Sequence, residues 1–164
     1  GSEPVAVLLA DDLILGASCV KEMVDAYKGG NMVAVMDVPH EQTGSYGIVT
    51  PGADDGRIVQ VEGLVEKPDP SSAPSNIAVV GRYIITPEVF ETLAAQERGA
   101  GGEIQLTDAL AKQIGKAPFS GVRFSGERFD CGSKLGFLQA NVAFGLNNDA
   151  MRDQLRDWLG ERVG

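Results

Sequence analysis

The spacing of hydrophobic and polar residues along this chain is typical of strands in some segments and of helices in others. Val5–Leu9 is a short continuous apolar run, which predicts a fully buried parallel strand with Asp11 and Asp12 at its carboxyl end. Apolar residues then recur at helical spacing from Val20 to Tyr27, and Met32–Val38 follows as the next strand. The pattern therefore predicts a right-handed βαβ unit with parallel strands, and it places Asp11 at the sheet edge where ligands bind.

The middle of the chain favours antiparallel strands. Tyr46–Thr50 and Arg57–Glu66 have strand patterns on either side of Pro51–Gly56, which has a turn composition, so we expect a hairpin. A proline- and serine-rich loop, Pro68–Pro74, then leads to an apolar strand, Ile77–Ile85. Gly81 within that strand predicts a close approach of the backbone to a ligand. The sheet as a whole is expected to be mixed.

The remaining elements are mostly helical. We expect a helix capped by Thr86 with Pro87 at its first position, because proline suits that position. The elements predicted after it are a mobile glycine loop at Arg98–Gly102, a helix from about Thr107 to Ile114, a hairpin of Phe119–Phe124 with Glu127–Phe129, and terminal helices at Leu135–Leu146 and Met151–Leu159.

Composition and charge narrow the class of protein. The chain has 164 residues, 43% of them hydrophobic, which is sufficient for one globular domain. A net charge of −9 argues against nucleic-acid partners and anionic membranes. Cys19 and Cys131 lie far apart and no histidine cluster accompanies them, so neither a zinc site nor a disulfide framework is indicated and the cytoplasm is the expected location. The longest apolar run is too short to span a bilayer.

The start of the sequence suggests a fragment. Gly1-Ser2 has the composition of a cloning scar, and the chain then enters a strand almost at once. We therefore expect residues 3–164 to be the C-terminal part of a single domain that has lost its N-terminal half.

Val65-Glu66-Lys67-Pro68 is the segment that is most informative about function. The proline ends a strand and leaves both charged side chains at its mouth. A carboxylate accepts hydrogen bonds from two neighbouring hydroxyls, and an ammonium group is a compact cation for phosphate, so the pair suits a sugar phosphate. Taken by itself, the same pair is also typical of a solvated strand end.

Several further blocks occur in the same order as in one known family. The chain resembles the C-terminal part of bacterial UTP–glucose-1-phosphate uridylyltransferases, which are sugar-nucleotide pyrophosphorylases. The blocks that carry the resemblance are Ala6–Asp12, Tyr46–Val49, Val65–Pro68, Ala73–Tyr83, Gly102–Asp108 and Phe129–Gly132. The resemblance implies a Rossmann-like α/β nucleotidyltransferase fold with a mixed sheet, which joins UTP and glucose 1-phosphate into UDP-glucose and pyrophosphate.

The resemblance also implies roles for individual residues. Asp11 and Asp130 would bind the required Mg²⁺, which prefers carboxylate oxygens. Glu66 would hold the sugar hydroxyls, and Lys67, the candidate catalytic residue, would bind the sugar phosphate. Gly47 would present its backbone N–H to the sugar, because a residue without a side chain lets the ligand come close.

Other candidate residues support the sugar pocket less directly. Asp12 and the backbone of Val79–Gly81 are candidates for its walls, and Tyr46 is either a pocket wall or a core aromatic. Arg82 and Arg128 suit either phosphate or salt bridges. Homo-oligomers are usual in the family.

The sequence also allows two other functional interpretations. A metal-dependent glycosyltransferase also places aspartates at a strand end, although its usual Asp-x-Asp pattern differs from the adjacent Asp11-Asp12 here. A non-catalytic module that binds sugar phosphate is the other alternative. The family's upstream glycine-rich loop, which binds the triphosphate, is not found in this sequence, so we expect the isolated chain to be inactive or nearly so.

Overall fold

A computed structural model of the chain describes residues 1–95 and 105–163. The strands in these ranges are β1 (Val5–Leu8), β2 (Asp12–Leu15), β3 (Asn31–Asp37), β4 (Gly47–Asp54), β5 (Ile58–Glu66), β6 (Ile77–Ile85), β7 (Phe119–Arg123) and β8 (Glu127–Asp130). The α-helices are α1 (Cys19–Ala26), α2 (Pro87–Ala95), α3 (Leu106–Ala111), α4 (Lys134–Leu146) and α5 (Arg152–Val163). Short 3-10 helices lie at His40–Ser45 and Pro70–Ser72.

Contacts among the residues divide the chain into two compact units. The large unit comprises Gly1–Leu8 and Cys19–Phe124, and the small unit comprises Leu9–Ser18 and Ser125–Gly164. Each unit has its own sheet. The expectation of one domain over residues 3–164 stays a prediction.

The sheet of the large unit has six strands in the order β1-β6-β3-β7-β5-β4. The pairing of β3 with β7 is parallel, and the other pairings are antiparallel. The predicted mixed sheet is therefore confirmed. Ile48 of β4 also pairs with Ala78 of β6, so β4 has both β5 and β6 as strand partners.

Strand β3 forms the centre of the large unit's core. Its apolar residues Met32–Val35 are almost completely buried, because β6 and β7 pair with its two edges and α1 packs against it. The strand predicted at Met32–Val38 is confirmed with a shift of one residue at each end.

The prediction for the first strand is wrong in two respects. Strand β1 pairs antiparallel with β6, which lies between β1 and β3, so the expected pair of adjacent parallel strands does not form. The strand is also not buried, since Val5 is 40% and Leu8 53% exposed. An apolar run predicts burial only when neighbours cover it, and in the described residues β1 has a strand partner on one edge alone.

The hairpin predicted in the middle of the chain is confirmed, although its turn is shorter than expected. Strand β4 continues through Pro51 to Asp54 and pairs with β5 over most of that length, with register shifts on both sides of Pro51. The turn is then limited to Asp55–Arg57, where the side chain of Asp55 accepts hydrogen bonds from the backbone N–H groups of Arg57 and Ile58.

Arg123 holds the far end of this hairpin. Its guanidinium group lies at the end of β7, between the carboxylates of Asp37 and Asp54, with nitrogen–oxygen distances of 2.8 and 2.9 Å. This clip joins the ends of β3, β4 and β7. The hydrogen bonds from Arg123 hold the pKa of Asp54 below its ordinary value.

The helices of the large unit follow the sequence signals closely. Helix α2 begins at Pro87, as predicted, and Asn31 Oδ1 accepts a hydrogen bond from the Thr86 N–H immediately before it. Helix α3 is shorter than predicted, since it ends at Ala111. The loop predicted at Arg98–Gly102 lies outside the described residues.

The small unit corrects a second topological prediction. Strands β7 and β8 do not form a hairpin, because β8 pairs antiparallel with β2, a strand that the sequence analysis did not predict. Asp12 lies opposite Asp130 in this two-stranded sheet. The small residues Gly136 and Ala140 of α4 are buried, and α4 contacts β8. No α-helix in ranges 1–95 and 105–163 is both long and apolar enough to cross a bilayer.

Candidate functional site

Lys67 occupies a backbone conformation that few residues adopt. Its φ of 45° lies in the left-handed region, and it is the sole non-glycine residue with positive φ among those described. The Lys67 N–H donates a hydrogen bond to the Tyr46 carbonyl at 2.9 Å, which holds the chain in place just beyond β5. Residues held in such conformations concentrate at functional sites. The role predicted for Lys67 stays a prediction.

The side chain of Lys67 remains largely in solvent. Its Nζ lies 3.9 Å from Glu66 Oε1, and the side chain is 64% exposed. An ion pair this long and this exposed contributes little to stability. The ammonium group is therefore accessible to an incoming anion.

Glu66 is held by a residue from a distant part of the chain. Thr107, in the first turn of α3, donates a hydrogen bond from Oγ1 to Glu66 Oε2 at 2.6 Å. Gly47 lies opposite Glu66 in the β4–β5 ladder. A Cβ on Gly47 would lie 3.2 Å from Glu66 Oε2 and 3.5 Å from Thr107, so the absence of a side chain leaves room for this pair. Thr107 was part of a block that carried the family resemblance, but no role was predicted for it.

Tyr46 and Val79 both pack toward hydrophobic clusters of the large unit. Tyr46 lies against the cluster of Val38, Ile48 and Ala78, which favours the core alternative for its ring. The Val79 side chain packs against the main core. Their predicted contacts with a sugar stay predictions.

Gly81 lies where strand β6 is irregular. Val33 pairs with Tyr83 and Val35 with Val79, so one residue of β3 faces three residues of β6 at this point. Such a bulge bends the strand and locally disrupts the ladder. The irregularity agrees with the special backbone role predicted for Gly81, which stays a prediction.

The small unit brings Asp11 and Asp130 together. Asp11 Oδ2 lies 3.4 Å and Asp130 Oδ1 3.1 Å from the point that a Cβ on Gly132 would occupy. The Cys131 N–H donates to the Asp11 carbonyl at 2.7 Å, and the Gly132 N–H donates to Asp130 Oδ1 at 3.0 Å. Two segments that are far apart in sequence thus each place one carboxylate oxygen close to the same point beside Gly132.

This pair of carboxylates fits a magnesium ion. Mg²⁺ is commonly held by one or two carboxylates, with water and phosphate oxygens completing its octahedral shell. Within the described residues no group of three or more His, Cys, Asp and Glu side chains is arranged to hold a metal. The pair would therefore leave most coordination positions to water and substrate.

Asp12 has a different environment from its neighbour Asp11. Its carboxylate forms a salt bridge and a hydrogen bond with the guanidinium group of Arg128, and the two side chains are only 8% and 13% exposed. Because both side chains are nearly buried, removing either partner of this ion pair would be destabilising. Of the two uses predicted for Arg128, phosphate binding or a salt bridge, the structure shows the salt bridge. The contact predicted between Asp12 and a sugar stays a prediction.

The two cysteines are free thiols in the described chain. Burial raises the pKa of Cys19 to about 11, so its thiol is neutral near neutral pH. Cys131, beside Asp130, is partly exposed.

A separate open groove of about 510 Å³ lies elsewhere on the large unit. None of the predicted site residues lines it. The residues along it are Ala26, Lys28, Gly29, Ala53, Asp54, Asp55, Ile58, Gln60, Pro118, Phe119 and Ser120.

The mixed sheet of the large unit agrees with the α/β nucleotidyltransferase fold that the family resemblance implies. A family model described as "Nucleotidyl transferase" matches residues 1–145, and the chain belongs to that family.

Individual relatives share much of this sequence. The chain is 51% identical over 162 residues to a UTP–glucose-1-phosphate uridylyltransferase of Komagataeibacter xylinus, a match that covers 97% of this chain and 55% of that protein. It is 41% identical to the corresponding protein of Staphylococcus haemolyticus, with coverage of 98% and 57%. The chain therefore spans about half the length of the curated relatives it matches.

Solved structures show the same similarity. A UDP-glucose pyrophosphorylase complexed with UDP-glucose has a TM-score of 0.84 and 38% identity, and the match covers 90% of this chain and 58% of that one. A UTP-bound UGPase from Acinetobacter baumannii has a TM-score of 0.86 and 32% identity, with coverage of 99% and 57%.

Proposed function

We propose that the protein containing this chain transfers a uridylyl group from UTP to glucose 1-phosphate, giving UDP-glucose and pyrophosphate. The observation that carries this proposal is the cluster of Gly47, Glu66 and Lys67 at one strand end, in a chain 51% identical to a UTP–glucose-1-phosphate uridylyltransferase. The relative that was solved with UDP-glucose gives it further support.

The residues at the end of β5 would bind the sugar phosphate. Glu66 would accept hydrogen bonds from two neighbouring sugar hydroxyls, and the Gly47 backbone N–H would donate to the sugar. Lys67 would place its ammonium group on the phosphate. The backbone of Val79–Gly81 and the side chains of Asp12 and Tyr46 complete the set of proposed sugar contacts.

The small unit would supply the metal site. Asp11 and Asp130 would hold Mg²⁺ through carboxylate oxygens, which are the hard ligands this ion prefers. When bound, the ion neutralises negative charge on the phosphates of the nucleotide.

The proposed reaction requires the two substrates to be positioned and the negative charge of their phosphates to be neutralised. A phosphate oxygen of the sugar attacks the α-phosphorus of UTP in line, a new phosphoanhydride bond forms, and the bond to pyrophosphate breaks. The attacking oxygen is already anionic near neutral pH, so no protein base is required. Lys67 would fix that phosphate and offset its charge, and Glu66 would fix the sugar ring behind it.

We also propose the finer features that the family suggests. These are a Rossmann-like arrangement of the sheet, a cytoplasmic location, a homo-oligomeric assembly, and no nucleic-acid or membrane partner. The net charge of −9 supports the last of these. The exposed apolar side chains of Leu135, Phe137 and Leu138 on α4 support an assembly.

Pyrophosphate release by the full-length protein tests the proposed reaction. We expect turnover with UTP and glucose 1-phosphate in the presence of Mg²⁺, and we expect Asp11→Asn and Asp130→Asn to reduce kcat by roughly a hundredfold or more. Asp149→Asn is the matched control, because Asp149 is an exposed aspartate paired with Arg152.

Three outcomes would contradict the proposal. Sugar-phosphate binding without turnover by the full-length protein would make it a binding module. Turnover with another nucleotide in place of UTP would reassign the reaction. Equal activity in the Asp130→Asn variant and the control would show that Asp130 does not bind a metal ion needed for the reaction.

A further inference from the structure

The hydrogen bond between Thr107 and Glu66 joins two parts of the large unit that lie 41 residues apart in sequence. Thr107 belongs to α3, and α3 packs against β5, the strand that ends at Glu66. The donor and acceptor are 2.6 Å apart and partly buried. A hydrogen bond to a charged group in such surroundings is stronger than one between neutral groups.

This bond occupies one oxygen of the carboxylate, and the other oxygen has no hydrogen bond within the part of the chain that the structure describes, only a long ion pair with Lys67. Thr107 donates to Oε2, whereas Oε1 faces Lys67 Nζ at 3.9 Å. A glutamate side chain has three rotatable bonds, and a donor fixed on a helix favours the rotamers in which the hydrogen bond forms. Gly47 lies beside Glu66 Oε2, and its lack of a side chain leaves space for that oxygen.

We propose that Thr107 is a positioning residue, which orients the Glu66 carboxylate so that Oε1 and the remaining lone pair of Oε2 accept hydrogen bonds from adjacent hydroxyls of the sugar. The inference rests on the proposed function of this site. Thr107 itself does not touch the substrate. Its helix keeps the sugar-binding carboxylate ordered before the sugar arrives, which lowers the entropic cost of binding.

Two substitutions separate the hydroxyl from the shape of the side chain. Thr107→Val keeps the volume and removes the donor, and Thr107→Ser keeps the donor and removes a methyl group. In the full-length protein we expect Thr107→Val to raise the KM for glucose 1-phosphate by about tenfold, the loss expected for a hydrogen bond to a charged group. The KM for UTP should stay close to that of the wild type, and Thr107→Ser should behave like the wild type.

A variant of the partner completes the experiment. In a Glu66→Gln background, adding Thr107→Val should have a smaller effect on the KM for glucose 1-phosphate than it has alone, because the two residues act as a unit. An unchanged KM in Thr107→Val, or equal shifts in both KM values together with a lower melting temperature, would overturn the proposal.

Crystal structures of the wild type and Thr107→Val decide the positioning role even if the protein transfers no uridylyl group. One conformer of Glu66 in the wild type and several in the variant would support it. The same single conformer in both would overturn it. Absence of transfer by the wild type counts against the proposed function alone.

Discussion

At the scale of single residues, Gly47 and Lys67 illustrate how backbone geometry prepares a site. Lys67 lies in the left-handed region, although side chains disfavour it, and Gly47 has no side chain at the place where Glu66 and Thr107 meet. The stability of the fold explains neither choice, since each costs free energy relative to an ordinary strand residue. Both are explained if the site must hold a carboxylate and an ammonium group at one strand end.

Gly47→Ala tests the space beside Glu66. The added methyl group would lie 3.2 Å from Glu66 Oε2, so we expect the carboxylate to move and the affinity for glucose 1-phosphate to fall by roughly tenfold. Folding stability should change little or rise slightly, because alanine loses less backbone entropy than glycine in a strand. Calorimetric titration and thermal unfolding of the full-length protein measure the two effects.

Gly160→Ala is the control for that substitution, because a Cβ on Gly160 would meet no atom within 4 Å. The control should bind sugar phosphate like the wild type. Unchanged affinity in Gly47→Ala would show that the space beside Glu66 has no part in binding.

At the scale of elements, the sequence predicts strands and helices well and their partners poorly. Strands β3 and β6 and the start of α2 occur where the local pattern places them, since alternation, apolar runs and a proline after a capping residue act over a few residues. The partner of β8 was predicted wrongly because a short turn such as Ser125-Gly126 fits a hairpin, whereas the pairing of β8 with β2 joins residues that are more than a hundred positions apart.

Arg123 allows an element-scale prediction about acid stability. Its hydrogen bonds lower the pKa of Asp54 below 3.8 in the folded state, so the ionised carboxylate stabilises the fold at pH values above 3.8. That contribution is lost as the pH falls through the lower folded-state pKa. Arg123→Leu removes the clip, so we expect its free energy of unfolding to depend less steeply on pH in this acid range.

Urea unfolding of both proteins over a series of pH values measures this difference. Arg156→Leu is the matched control, because Arg156 belongs to an exposed ion pair with Asp153 on α5. The control should follow the wild-type curve. Parallel curves for the wild type and Arg123→Leu would show that the clip does not contribute to acid stability.

At the scale of the whole molecule, the core is concentrated in a few elements. Strand β3 has paired strands on both edges and nearly complete burial, whereas no residue of α5 with a described side chain is buried. Stability is therefore expected to be distributed unevenly along the chain.

Amide hydrogen exchange should reveal this distribution. We expect the slowest exchange at Met32–Val35 and exchange faster by orders of magnitude in α5, because opening β3 requires the core to unfold. Exchange in α5 as slow as in β3 would contradict this expectation. If that slow exchange appeared only at high protein concentration, it would identify α5 as part of a subunit interface.

The sequence by itself determined which residue types lie at the strand ends and the family to which the chain belongs, because these depend on local patterns and on blocks of residues in order. Only the tertiary structure decided that Thr107 holds Glu66, that Arg128 pairs with Asp12, and that β8 pairs with β2. These contacts join residues 41 and 116 positions apart, and no local periodicity or turn signal encodes a contact formed by the folding of distant segments onto one another.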